Sequence, residues 1–400
     1  MQSRYVIKLN TSILFSLFLS VGLLFFNVNL RTRINSSSVL AVNLMVYFAF
    51  VFYLIQSRKP TRATKSKVVL IIAVVLVLCL HVICMFLNNL INVRYIIAFD
   101  FPLFLLLIQI REIESMEVIF SYWTKVFNIA IWLVVIGGLI DRLFGYTVTN
   151  FFTNFYNTDA ILQMRIDEPN RIISFLGHPL FASEVSLICF ISNYILSEYF
   201  EKKNKLLFKA GLCLVACALC GSKTVFLLLL VLVLIFNFNN KRLRNILYLI
   251  IGCYILYLLG VFDIIIGRFI KSIELGDWST GRNVWLSELY QSGSLDFKWF
   301  IGHTAELSDR YIIALEYPIL RFSYRYGIFY TLCLSIPIFI YPLIYILRRK
   351  QYKILICLVA LIIDINTYSS IAAIGDGMLL YCSVLFLFLN ISNYIELGSR

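Results

Sequence analysis

Gly221-Ser-Lys223-Thr-Val-Phe-Leu-Leu-Leu-Leu-Val-Leu-Val-Leu-Ile-Phe236 is followed four residues later by Lys241-Arg242-Leu-Arg244. From Thr224 to Phe236 no side chain is charged, and the run is apolar on every side. A helix that crosses the hydrocarbon core needs about 20 residues of this kind. Such a run has no polar face to turn toward water, as a surface helix of a soluble protein would. The cationic cluster beyond Phe236 marks a cytoplasmic connection, because short cytoplasmic loops collect Lys and Arg. Working outward, the same alternation of apolar run and short connection fills the chain. It predicts an all-α polytopic membrane protein, a single integral-membrane domain over residues 1–400.

Composition agrees. Of 400 residues, 60% are apolar and 14% charged, which excludes an ordinary soluble domain. The net charge of +13 sits in clusters between apolar runs rather than along one face, so it does not predict a nucleic-acid partner. The ten cysteines are scattered, several inside spans (Cys79, Cys84, Cys213, Cys217, Cys220), and predict neither a disulfide framework nor a metal site. Met1 to Phe26 has Arg4 and Lys8 ahead of an apolar run. It lacks a small-residue cleavage site and further spans follow, so it reads as the first retained helix.

About twelve spans are expected, at 11–28, 38–56, 68–88, 95–110, 126–145, 179–198, 206–221, 223–238, 245–262, 323–347, 354–373 and 377–394. Alternate connections carry Arg58, Lys59, Arg62, Lys65 and Lys67; then Lys202, Lys203 and Lys205; then Lys241, Arg242 and Arg244; then Arg348, Arg349, Lys350 and Lys353. Those are expected in the cytoplasm together with both termini. Both long polar segments, 141–178 and 263–322, then fall on the outer face as two large extracytoplasmic loops. Pro102, Pro337 and Pro342 lie within spans and should kink them. Asp100, Glu184 and Asp364 are carboxylates in or at the ends of spans, each either a functional group or a polar contact to a neighbouring helix.

The first outer loop holds Phe151, Phe152, Phe155 and Tyr156, an aromatic cluster suited to the membrane interface or to stacking on sugars. Arg165 and Arg171 then precede Gly177-His178-Pro179, where the chain turns back into the bilayer. Lys223 is either a headgroup anchor or part of a cationic cavity. The second outer loop, extended to Gly327, carries Arg268, Arg282, Arg310, Arg321 and Arg325 among eight carboxylates, with Trp278, Trp285, Trp299 and His303 interleaved. A membrane protein keeps so much polar chain only where it does something, because connections can be far shorter. Ser279-Thr280-Gly281-Arg282-Asn283-Val-Trp285-Leu286 predicts a helix start capped by Ser279 or Thr280. A cation in a first turn is disfavoured by the helix dipole, unless an anion is also held there. Arg282 is therefore either a phosphate ligand or a residue stacked on Trp278 or Trp285.

These features resemble the Wzy-type O-antigen and capsular polysaccharide polymerases, which share a fold with the O-antigen ligases. Arg171…Gly177-His178-Pro179 resembles the family's segment ahead of the membrane. Ser222-Lys223-Thr224 resembles its Ser-Arg-Thr turn, with Lys in place of Arg. Arg282 and Gly293 have the Arg, ten residues, Gly spacing of polymerase loops, and Trp299-Phe-Ile-Gly302 resembles the glycine turn that follows. Glu316-Tyr-Pro-Ile-Leu320, with Gly327 six residues on, resembles a segment in which the ligases have His at the first place. The departure at Glu316 favours polymerase over ligase.

The resemblance implies a metal-independent integral-membrane glycosyltransferase (GT-C-like) without cofactors, in the bacterial cytoplasmic (inner) membrane, with its active site outside the cytoplasm. It would move a growing glycan from undecaprenyl diphosphate to a sugar hydroxyl of the next lipid-linked repeat unit, making O-antigen lipopolysaccharide or capsule. Expected partners are the undecaprenyl-diphosphate-linked oligosaccharide, the bilayer, a flippase and a chain-length regulator. Arg282 and Arg171 would stabilise the departing diphosphate, which suits the planar fork of Arg. Arg165, His178, Lys223, Arg321 and Arg325 would assist in binding. Glu316 would accept the hydroxyl proton, with His303 and Asp309 as further candidates. No Asp-x-Asp motif occurs, in keeping with metal-independent transfer. Two other readings stand beside this one: an O-antigen ligase using the same site, and a twelve-span lipid-linked oligosaccharide flippase or transporter.

Overall fold

The computed structural model describes residues 2–34, 42–56, 65–88, 92–110, 113–200, 205–236, 254, 257–258, 260–279, 281–303 and 314–398. The described chain is helical, without a strand. Five helical stretches among the described residues are long and apolar enough to cross a membrane: Lys67–Leu87, Ser115–Phe144, Pro179–Tyr199, Ile328–Arg348 and Gly377–Ile395. A sixth candidate is the pair Thr11–Leu24 and Val28–Ile34, bent by 77°. Leu44–Ile55, Leu206–Cys220 and Lys223–Phe236 are apolar but shorter. This is the build of a helical membrane protein.

Not every expected span is a plain α-helix. The span read at 95–110 is a short α-turn Val93–Tyr95, a π-turn Ile96–Asp100 and a 3-10 segment Phe101–Leu107. Pro102 accounts for the change of winding, since its ring cannot sit within an α-helical ladder. Pro337 acts similarly, lying in the π-turn Ile336–Ile340 between the helices Ile328–Ser335 and Tyr341–Arg348. The span read at 323–347 starts later than expected, because Gly327 separates Pro318–Tyr326 from Ile328–Ser335. Most of the span read at 245–262 lies outside the described residues, as do the basic clusters at 58–62, 202–203 and 241–244.

The chain forms two compact units. The first holds residues 1–19, 37–119 and 277–400, and the second holds 20–36 and 120–276. At the heart of the first lies Gly377–Gly398, packed against Phe101–Leu107. Where that 3-10 segment ends, Asn390 repairs the broken ladder. Its side chain accepts from the Ile110 amide at 2.7 Å and donates to the Ile108 carbonyl at 3.2 Å. Backbone groups buried among hydrocarbon need such partners. Phe15, Phe50 and Phe386 pack edge to face around it.

In the second unit Pro179–Tyr199 and Leu206–Cys220 pack closely. Ala182, Ser183, Ser186, Ala210, Cys213, Ala216 and Cys217 are all buried there, and small side chains let the backbones approach. Ser183 and Ser186 return their hydroxyls to carbonyls one turn back, so they add no unsatisfied donor. Gly138 belongs to the same arrangement: a Cβ there would come within 2.7 Å of Leu219. Of the carboxylates singled out above, Asp100, Glu184 and Asp364 are all buried.

The first polar loop is more ordered than the word suggests. It folds into Thr147–Tyr156 and Asp159–Asp167, anchored by Asp141 at the end of Ile113–Phe144. That buried carboxylate accepts from the Val148 and Thr149 amides and from the Thr149 hydroxyl. Phe151 and Phe155 are exposed and stacked on each other, while Tyr156 is buried and donates to the Phe175 carbonyl.

Candidate functional site

In the first unit, Arg282 opens the helix Arg282–Gln291, at the position read from the sequence. The turn before it is organised by Asp277. Its carboxylate accepts from the Ser279 amide at 2.8 Å, the Gly281 amide at 2.9 Å, the Asn283 side chain at 3.1 Å and the Ser279 hydroxyl. Burial raises the Asp277 carboxyl, but the Ser279, Gly281 and Asn283 donors outweigh it and hold it below the usual carboxylate range. Ser279 does take an amide of the first turn, accepting from Asn283 N–H at 2.9 Å. The residue at the cap position is nonetheless Gly281, with φ 107°, a conformation that a side chain would strain. Thr280 lies outside the described residues.

The guanidinium of Arg282 makes two contacts distant in sequence. Its Nε is ion-paired with the Glu316 carboxylate, and one terminal nitrogen donates to the Thr367 carbonyl. Arg282 therefore ties three segments together: its own helix, the chain entering Pro318–Tyr326, and the chain leaving Tyr352–Ile365. The Tyr317 hydroxyl adds a bond to Asn283 at 2.9 Å.

Arg321 and Arg325 follow one turn apart on Pro318–Tyr326, a spacing at which like charges repel. Burial lowers the Arg321 guanidinium's proton affinity, and Arg325 beside it adds to this, while Glu316 pulls the other way. Arg325 is 5% exposed and lies over the Tyr95 ring at 4.4 Å. The Nε atoms of both arginines are buried without a hydrogen-bond acceptor. The result is a concentrated positive patch in which Glu316 is the carboxylate that acts on Arg321 among the described residues.

Two glycines allow this helix to be gripped from outside. Residues 298–303 run alongside it, with hydrogen bonds from Ile328 N–H to the Lys298 carbonyl at 3.0 Å, Phe329 N–H to Trp299 at 2.9 Å and His303 N–H to Tyr324 at 2.8 Å. A Cβ on Gly302 would stand 2.4–2.5 Å from the backbone of Arg325 and Tyr326. Gly327 has φ 98° and ψ 157°, a region open essentially to glycine alone. His303 stacks on Tyr324 at 4.7 Å and its Nε2 meets the Asp296 carbonyl at 3.0 Å.

The second unit holds a separate cationic cluster. Glu168 pairs with Arg171 at 2.5 Å and with Arg268 at 3.0 Å. Arg171 also donates to the Gly221 carbonyl at 3.4 Å. Gly221, with φ 70°, closes Leu206–Cys220, and a Cβ there would strike Ile264 at 2.8 Å. Two residues on, Lys223 is buried and donates to Ser272, one turn from Arg268 on the helix Asp263–Glu274. Arg171 and Lys223 thus converge on one helix through the Gly221 turn.

Arg165 and His178 are engaged differently. Arg165 donates to the Pro169 carbonyl and to Asn150, and lies over the Tyr146 ring at 4.9 Å, which fixes the shape of its own loop. His178 caps Pro179–Tyr199, its Nδ1 accepting from Leu180 N–H at 3.2 Å. Arg171 and Arg282 fall in different units. Asp309 and Arg310 lie outside the described residues. Sequence reading gave no role to Glu168, Arg268, Tyr95 or Thr367. The Glu168–Arg171 spacing of three residues was the one local signal available, since the other pairings join residues far apart in the chain.

Comparison of the chain with protein families, with curated proteins and with solved structures found no match.

Proposed function

We propose that the chain is a Wzy-type polysaccharide polymerase, a metal-independent glycosyltransferase of about twelve spans acting on undecaprenyl-diphosphate-linked repeat units. The observation that carries this reading is the pairing of Arg282 with Glu316 beside Arg321 and Arg325. In the reaction, the anomeric carbon's bond to the diphosphate oxygen breaks and the electron pair leaves with the diphosphate. A bond forms from the same carbon to the acceptor hydroxyl, whose proton passes to Glu316. Once protonated, Glu316 holds Arg282 less tightly, and the guanidinium turns to the charge growing on the leaving group. Stabilisation is then greatest where charge develops, which is what lowers a barrier. The positive pair Arg321 and Arg325 supports the same diphosphate, and the exposed aromatics Phe151 and Phe155 sit at the membrane interface.

Topology completes the proposal: both termini in the cytoplasm, the polar segments 141–178 and 263–322 outside. The test is Arg282→Ala, with Arg282→Lys as companion, in cells that make the polymer. Long-chain polysaccharide should vanish in both, because lysine cannot bridge Glu316 and a phosphate with a planar fork. Single-repeat glycolipid should accumulate, identified by mass spectrometry. Normal chain length in Arg282→Ala would overturn the reading. Transfer onto a lipid A core rather than a carrier-bound repeat would assign the chain to the ligases. Movement of intact glycolipid across liposomes would make it a transporter.

A further inference from the structure

Outside the arginine cluster, the first unit carries an exposed aromatic segment that the chemistry above does not use. Lys298, Trp299, Phe300 and Ile301 are all exposed, Trp299 by 63% and Phe300 by 69%. The backbone beneath them is nonetheless held on two sides. The Phe300 carbonyl accepts from the Cys84 thiol at 3.4 Å, and those of Lys298 and Trp299 accept from the Ile328 and Phe329 amides. Both sets of partners lie at ends of membrane-length helices. Cys84 stands three residues before the end of Lys67–Leu87, and Phe329 is the second residue of Ile328–Arg348. At about 1.5 Å per residue, Phe300 is tied within roughly 5 Å of each helix end.

The apolar surface continues across these ends. Phe86 and Leu87 are exposed where the first helix finishes, and Phe329 and Leu332 where the second begins. The Phe300 ring lies 5.8 Å from that of Phe329, which joins the aromatic segment to the outward face of the second helix. Adjoining large apolar side chains left in the open mark an interaction surface. Tryptophan and phenylalanine suit the zone where hydrocarbon gives way to headgroups, and a neighbouring lysine can keep its stem there while its ammonium reaches lipid phosphate.

We infer that residues 298–301 are an interfacial anchor whose partner is the lipid bilayer. Trp299 and Phe300 sink into the upper acyl and headgroup region, and Lys298 meets the phosphates. Two features select lipid as the occupant: continuity with the exposed ends of Lys67–Leu87 and Ile328–Arg348, and the charge of Lys298 opposite an anionic headgroup layer. The anchor also acts beyond itself. Past Ile301 the same segment grips Pro318–Tyr326 through Gly302 and through His303 N–H on the Tyr324 carbonyl. The bilayer thereby steadies the segment that fixes the backbone of Arg325. An anchor of this kind needs only a membrane, whatever the chain catalyses.

The test uses the full chain in phosphatidylcholine nanodiscs. Five tryptophans are present, so the fluorescence of Trp299 is the difference between wild type and Trp299→Phe. Lipids brominated near the upper end of the acyl chain should quench that difference, and aqueous iodide should leave it unchanged. Quenching by iodide and not by bromine would mean a face open to water, suited to stacking on a sugar. Shielding from both quenchers would mean a face covered by protein. Either result overturns the inference. The second arm reads the grip. Trp299→Ser combined with Phe300→Ser should speed hydrogen exchange at the Ile328 and Phe329 amides on the order of tenfold, with the second unit unchanged, while Trp299→Phe stays near wild type. Unchanged exchange in the paired variant would show that lipid does not hold the segment, and overturns it equally. The fluorescence arm needs only the conservative variant, so it decides the matter even where the paired variant fails to fold.

Discussion

Replacing Gly302 by alanine should loosen the grip of residues 298–303 on the arginine helix. The added carbon would meet Arg325 C at 2.4 Å and Tyr326 N at 2.5 Å, all backbone, so no side chain can swing aside. Ordinary contact begins near 3.4 Å, so the two segments must part by about 1 Å. Three hydrogen bonds span this seam, at 2.8, 2.9 and 3.0 Å. A separation of that size weakens all three, and each contributes about 1 kcal/mol. The sum, about 2–3 kcal/mol, falls in the range expected for overpacking. Hydrogen exchange followed by mass spectrometry reads it locally. Amides of Ile328, Phe329 and His303 should exchange roughly 30- to 150-fold faster, at tenfold per 1.4 kcal/mol. Gly267→Ala is the control: nothing lies within 4 Å of its Cβ and it sits on an exposed helix face. It should stabilise by about 0.5–1 kcal/mol. Unchanged exchange at these three amides in Gly302→Ala would refute the packing argument and, with it, the fixed position assigned to Arg325.

Asp277→Asn should remove the pH dependence of the turn before Arg282. Because the folded carboxyl sits below its unfolded value of about 3.9, its contribution is present above that value and fades as pH falls through the lower one. In the wild type the Ser279 and Gly281 amides should lose protection below about pH 4, while in Asp277→Asn they should be weakly protected throughout; a wild type insensitive to acid contradicts this. Glu168→Gln removes a carboxylate that Arg171 and Arg268 share, and should cost about 1–2 kcal/mol. The loss should appear in thermal unfolding at low salt and shrink when salt is raised. An equal loss at all salt concentrations would mean packing rather than charge holds that cluster.

Much of the helical build could be read from the chain because hydrocarbon runs and cationic connections are local patterns. The start of Arg282–Gln291 was also local, signalled by Ser279 and Thr280 as candidate caps, although Gly281 holds the cap position. Contacts over long sequence distance were not legible: Arg282 with Thr367, Arg268 with Glu168, and His81 with Asp100 each join segments that no periodicity relates. His81 in particular sits in a run so apolar that it looks like a tolerated exception. Winding changes at Pro102 and Pro337 were expected as kinks, yet sequence does not distinguish a bend from a π-turn. Gly302 and Gly327 carried the clearest hidden message, since each marks a place where a second segment approaches closer than any side chain permits.

Arg325 and Arg282 are immobilised by different means, and the difference matters for anything approaching from afar. A carboxylate cancels the charge it holds, whereas the face of an aromatic ring such as Tyr95 orients a cation and leaves its monopole intact. Viewed from several ångströms away, Arg282 with its partner is close to a dipole, while Arg325 still looks like a bare unit charge. A polyanion drifting along the surface would therefore be drawn to Arg325 first, with no ion-paired carboxylate among the described residues to displace on arrival.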